Sequence, residues 1–128
     1  MNSNGYHGII IRQSQKNKSI FKKLKIIGRK KVFFGLAVLY KISVEIDKLN
    51  EVIKSIQVNM ASRLFILKQE YYVHFYRNHE LIIVFKDKVF NVTTDKSTWK
   101  EAVEYGRSLG IIEKQLDFTP DKVEDETY

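Results

Sequence analysis

The chain has 128 residues, 44% of them hydrophobic, with one Pro, six Gly and no Cys. This size and composition predict one globular domain, and they exclude disulfide scaffolds and thiolate metal sites. The formal net charge of +7 arises from 22 Lys and Arg against 15 Asp and Glu.

The charge is unevenly distributed along the chain. Residues 1–44 contain ten Lys and Arg and no acidic residue, whereas residues 45–128 contain 12 Lys and Arg and all 15 acidic residues, a net −3. Such asymmetry favours a polyanionic partner or self-association. We therefore divide the chain into an α+β domain over 1–118 with a basic first third, and an acidic tail over 119–128.

The first elements are a strand and a helix with an open alternative. After a loose opening over 1–8, Ile9–Arg12 indicates a short buried strand. Residues 19–27 favour a short helix, with Ser19 as N-cap and Gly28 after its end. The alternative is a strand pair over 20–27 and 32–46 that turns through residues 28–30.

The apolar run Val32–Tyr40 is too short to cross a bilayer and lies too far into the chain for a signal peptide. We expect no membrane partner and a cytoplasmic location. From Leu36 to Ile46 the even-numbered positions are apolar, which predicts a strand. Asp47 is then expected to cap a helix with apolar positions at Leu49, Val52, Ile53, Ile56 and Met60.

The second half predicts strands and then a helix. Arg63–Lys68 suggests a connecting strand, and three β-rich runs predict an antiparallel meander over 71–77, 81–86 and 89–94. A capping box from Thr98 to Glu101 predicts a helix that ends at Gly110. Its buried positions are Trp99, Ala102, Val103, Gly106 and Leu109. The predicted fold is α+β, a mostly antiparallel sheet with two or three helices on one face, in the manner of a ferredoxin-like plait.

The strongest candidate site is a basic surface for nucleic acid, because Lys and Arg neutralise phosphates and release counterions. Its residues are Lys22, Lys23, Lys25, Arg29, Lys30 and Lys31. The alternatives for this surface are a solvated face or a dock for the acidic tail.

A second candidate is an aromatic face of Tyr72, His74 and Tyr76 beside Arg77, suited to stacked bases or to a homo-oligomer contact. The alternative function is accordingly an oligomeric assembly subunit.

Catalysis has little support in the sequence. The six glycines form no phosphate-binding loop, and the histidines at 7, 74 and 79 lack metal-ligand spacing. We predict a non-enzymatic binding module without a cofactor or a metal.

Overall fold

The computed structural model describes residues 5–32, 37–61, 71–111 and 115–119. Within these ranges, six strands form one sheet with the order β2-β3-β1-β4-β5-β6, and all neighbouring strands are antiparallel. The strands are β1 (Gly5–Ile11), β2 (Lys25–Val32), β3 (Ala37–Glu45), β4 (Tyr72–Arg77), β5 (Glu80–Phe85) and β6 (Val89–Thr93). The predicted antiparallel meander corresponds to β4, β5 and β6.

Two α-helices, α1 (Leu49–Val58) and α2 (Lys100–Ser108), pack on opposite faces of the sheet. In β5, Ile82 packs in the cluster that contains α1, whereas its neighbour Ile83 packs in the cluster that contains α2. Because successive strand residues point to opposite faces, the helices lie on different sides. The α+β class is confirmed, but helices on one face were wrongly predicted and a ferredoxin-like arrangement is not confirmed.

The face that carries α1, here called the α1 face, has the predicted helical stripe at its centre. Leu49, Ile53 and Ile56 are buried against even-numbered residues of β3, including Ile42 and Val44. Alternation along β3 therefore places its apolar side chains under α1, as the sequence predicted.

The opposite face, the α2 face, is sealed by α2 and by residues 115–119. Trp99 and Ala102 are buried together with Phe118, and Trp99 lies edge-on to Phe118 with ring centroids 5.4 Å apart. Gly110 ends this helix with a φ of +88°, the left-handed conformation that favours glycine. Its role as the terminating residue is confirmed.

The helix predicted over residues 19–27 does not form. The structure has a 3₁₀ turn at Lys18–Lys22 followed by β2, which is closer to the alternative strand pair. The pairing of β2 with β3 shifts register between Ile26 and Gly28, which is a β-bulge. Gly28 therefore lies inside a strand, because cross-strand hydrogen bonds and β-branched side chains favour β2 over a short helix.

The N-terminal caps predicted for α1 and α2 were also wrong. A 3₁₀ turn, Ile46–Lys48, precedes α1, and Asp47 makes no cap bond. At α2, Asp95 accepts a bond from the Ser97 amide and starts a 3₁₀ turn, while the Thr98 hydroxyl donates to the Asp95 carbonyl at 2.7 Å. The capping box is replaced because this turn engages Thr98 before the helix begins.

The remaining sequence predictions concern the ends and the connections. Gly5–Gly8 belongs to β1 and is not loose, because it pairs with the end of β3. The predicted strand at Arg63–Lys68 and residues 120–128 of the acidic tail lie outside the described residues. Within the described ranges, no helix has the length and apolar composition to span a bilayer.

Candidate nucleic-acid interface

Four of the six predicted cations lie on strand β2, and the other two lie in the residues just before it. Among the residues that the structure describes, β2 is an edge strand, since β3 is its one pairing partner there. Every member of the set is exposed to solvent. The members are Lys22, Lys23, Lys25, Arg29, Lys30 and Lys31, here called the basic strip.

The strip presents charge on both sides of the edge. Lys30 lies opposite Leu39 on the α2 face, whereas Arg29 lies opposite Tyr40 on the α1 face. Eight residues of β2 extend over roughly 26 Å at the rise of a strand. The strip therefore forms an extended cationic rim, suited to a flexible chain of phosphates.

The bulge exposes apolar surface inside the strip. Ile26 and Ile27 of β2 are 38% and 42% exposed. A bulge also twists an edge away from the plane of the sheet. The rim thus combines four cations on β2 with two exposed isoleucines.

A hydrogen-bonded hub at Asn59 fixes the segment before β2. The Asn59 side-chain amide donates to the Gln15 side chain at 3.0 Å and to the Asn17 carbonyl at 2.9 Å, and its carbonyl oxygen accepts the Asn17 amide at 3.0 Å. Gln15 is fully buried. Asn17 in turn caps the turn that carries Lys22, so the end of α1 positions the start of the strip. Sequence reasoning missed Asn59, because no local pattern links it to residues 42 positions away.

Lys18 belongs to the same segment but not to the strip. Its ammonium donates to the Gln15 carbonyl, and burial, followed by the nearby Arg12, lowers its pKa. This lysine is therefore committed to holding the turn, whereas Lys22 and Lys23 extend into solvent.

A further basic residue, Lys41, is buried in the middle of β3 with 1% exposure. It lies between Gly28 and Ile9 on the α2 face. The sequence placed Lys41 on the polar side of an alternating strand, and burial of that side was not expected. Its charge is therefore inaccessible to a partner on the surface.

The predicted aromatic face is largely packed within the chain. Tyr76 is buried, and Tyr72 donates from its hydroxyl to the Gln115 carbonyl at 2.6 Å and lies edge-on to Phe118. Burial, with a smaller contribution from Asp117, raises the pKa of Tyr72. His74 is half-buried between these two rings.

Arg77 was predicted beside the aromatic face but belongs to the opposite side of the sheet. Its guanidinium pairs with Glu80 at 2.8 Å and lies 5.3 Å from the centre of the Tyr6 ring, on the α1 face. Hydrogen bonds from Arg77 and Tyr6 lower the pKa of Glu80. The structure therefore does not bring Arg77 together with Tyr72, His74 and Tyr76.

A cleft of about 540 Å³ opens where β2 begins, between the Lys18–Lys22 turn and α1. Two strip residues, Lys23 and Lys25, line it together with Lys48. Its volume lies within the range of about 300 to 1,000 Å³ that is typical of ligand sites. No local sequence pattern predicted this cleft, because its walls come from distant parts of the chain.

No metal centre is found among the described residues, where no three His, Asp or Glu side chains come together as ligands. Comparison of the chain with protein-family models, with curated proteins and with solved structures found no match.

Proposed function

We propose that this protein is a non-enzymatic, cytoplasmic module that binds nucleic acid along the basic strip. The observation that carries the proposal is that all six cations of the strip are exposed, four of them on the edge strand β2 and two in the residues just before it. Lys and Arg side chains at a surface release condensed counterions when they meet phosphates, and this release provides sequence-independent affinity.

The position of the strip supports a flexible, single-stranded partner. Charges on both sides of β2 suit a backbone that can bend around the rim, whereas a stiff duplex touches one side of a surface. The exposed Ile26 and Ile27 add apolar contact area between the cations. Affinity from such contacts tolerates many sequences.

Binding of a fluorescent single strand at low salt tests the proposal. Replacement of Lys22, Lys23 and Lys25 by Glu should abolish binding, because three attractions become repulsions. The far-ultraviolet circular dichroism should stay unchanged, because the three side chains are exposed. Wild-type affinity in this folded variant would refute a nucleic-acid site on the strip.

Self-assembly is the second candidate function, and the exposed Ile26 and Ile27 favour it. An edge strand offers unpaired backbone groups to a second copy. The cations of two facing strips would repel each other, so this assembly would need high salt. Sedimentation in low and high salt distinguishes the two candidates, since assembly should rise with salt whereas nucleic-acid binding should fall.

A further inference from the structure

The cleft at the start of β2 is distinct in chemistry from the rest of the basic strip. Its three lysines, Lys23, Lys25 and Lys48, are joined by two carboxylates, Glu45 and Glu51. Within the described ranges, no ion pair joins these five side chains to one another. Both signs of charge are therefore available to a ligand.

One wall of the same cleft is apolar. Ile20 and Leu24 contribute to it from the segment before β2, and Val52 contributes from α1. Ile20 is buried and the other two are half-buried, so the wall is an extension of the core of the α1 face. The lining of the cleft thus contains apolar residues, three lysines and two glutamates.

We propose that the cleft receives one unpaired ribonucleotide of the bound strand. This inference rests on the proposed function. A nucleotide matches each part of the lining: its phosphate suits the lysines, its base suits the apolar wall, and its 2′-hydroxyl, the ribose hydroxyl that stays free within a strand, can donate to a carboxylate. The carboxylates favour a nucleotide over inorganic phosphate, because Glu45 and Glu51 would repel a purely anionic ligand.

The geometry connects the cleft to the strip. Lys23 and Lys25 belong to both. A nucleic-acid strand that follows β2 therefore reaches the cleft at Lys25, the first residue of β2. A base must leave a duplex to enter a cleft, which costs energy that an unpaired strand does not require. The 2′-hydroxyl distinguishes RNA from DNA at such a site.

The experiment compares RNA and DNA single strands of the same sequence, and the RNA duplex, in fluorescence anisotropy. The wild type should bind single-stranded RNA about fivefold more tightly than DNA, as expected for one hydrogen-bonded discrimination of about 1 kcal/mol. The variant Lys48→Gln/Glu51→Gln should lose this preference. The control Lys100→Gln/Glu104→Gln makes the same changes on α2 and should retain it.

The outcomes separate the inference from the proposed function. Equal affinity for RNA and DNA, equal affinity for duplex and single strand, or an unchanged preference in the cleft variant would overturn the cleft inference. The proposed function would stand if binding is still lost in the strip variant Lys22→Glu/Lys23→Glu/Lys25→Glu.

A second arm applies if no strand binds, which would refute the proposed function. Adenosine 5′-monophosphate is then titrated into the wild type and followed by backbone amide chemical shifts. Saturable shifts at Glu51 and Val52 that are absent in the cleft variant would support a ribonucleotide site. Absence of these shifts would overturn the inference.

Discussion

The salt dependence of binding gives the sharpest test of the basic strip. If all six cations contact phosphates of a single strand, log affinity should fall against log salt with a slope of about −4. Between 50 and 200 mM salt this slope corresponds to a loss of about 300-fold. A variant with Arg29→Gln, Lys30→Gln and Lys31→Gln keeps three contacts, so its slope should be about −2 and its loss about 20-fold.

A matched control separates local contacts from overall charge. Replacement of Lys88, Lys96 and Lys100 by Gln also lowers the formal net charge from +7 to +4, and these exposed residues lie near β6, at the opposite edge of the sheet. Anisotropy with a labelled single strand of about 12 nucleotides measures both variants. The control should keep a slope of about −4. Equal slopes for the two variants would show that net charge alone governs binding and would refute the strip.

Three further predictions concern the fold. The variant Gly8→Ala should lose about 1 to 3 kcal/mol in the free energy of unfolding, because an added Cβ would lie 2.5 Å from the buried Phe75 ring; urea denaturation that matches the wild type would contradict this. The variant Asn59→Ala should lose about 1 to 3 kcal/mol in the free energy of unfolding, since it removes the hydrogen bonds that hold the segment before β2. Unchanged hydrogen exchange of the Asn17 amide would argue against this role of Asn59. Hydrogen bonds lower the pKa values of Glu80 and Asp117 in the folded protein. The two carboxylates therefore stabilise the fold fully above their unfolded-state pKa values of about 4, and this stabilisation is lost as the pH falls through their folded-state pKa values. A Glu80→Gln variant with the acid transition of the wild type would exclude a contribution from Glu80.

Sequence periodicity predicted the elements whose structure is decided by burial of their apolar side chains alone, namely α1 and β3. In α1, Leu49, Ile53 and Ile56 recur at helical spacing and are buried together on the sheet. In β3 the alternation places Ile42 and Val44 on the same face. One dominant interaction, burial of a regular apolar stripe, determines both elements, so a local pattern was sufficient.

Periodicity did not predict the segment before β2 correctly, because apolar packing and strand pairing compete there. Ile20, Phe21 and Leu24 do pack on the α1 face, as a helix would require, but Ile20 and Phe21 belong to a 3₁₀ turn and Leu24 lies between this turn and β2. Ile26 and Gly28 instead pair with residues of β3 on either side of a bulge. Long-range pairing is not encoded in local spacing, and it outweighs a marginal helix of two turns.

The candidate site was predictable in part for the same physical reason. Exposure of the strip follows from composition, because Lys and Arg are almost never fully buried. Ile20 of the cleft lies in the turn that Asn17 caps, and Asn59 holds Asn17 at the end of α1, a contact between residues far apart in the chain. Burial of Lys41 likewise depends on its neighbours in three dimensions, so the charge pattern of β3 could not reveal it.

The number of cations on and before β2 distinguishes two roles for them, protection of the sheet edge and binding of nucleic acid. Lysines on an edge strand hinder pairing with a second chain, and a bulge serves the same purpose. β2 already has a bulge, and four of its eight residues are cationic. Lys22 and Lys23 add charge before the strand begins, where there is no edge to protect. Because protection of the edge does not require this excess, the triple Gln variant of residues 29–31 should associate no more than the wild type in sedimentation, while its affinity for a single strand falls. Stronger association of that variant would instead assign the cations to edge protection.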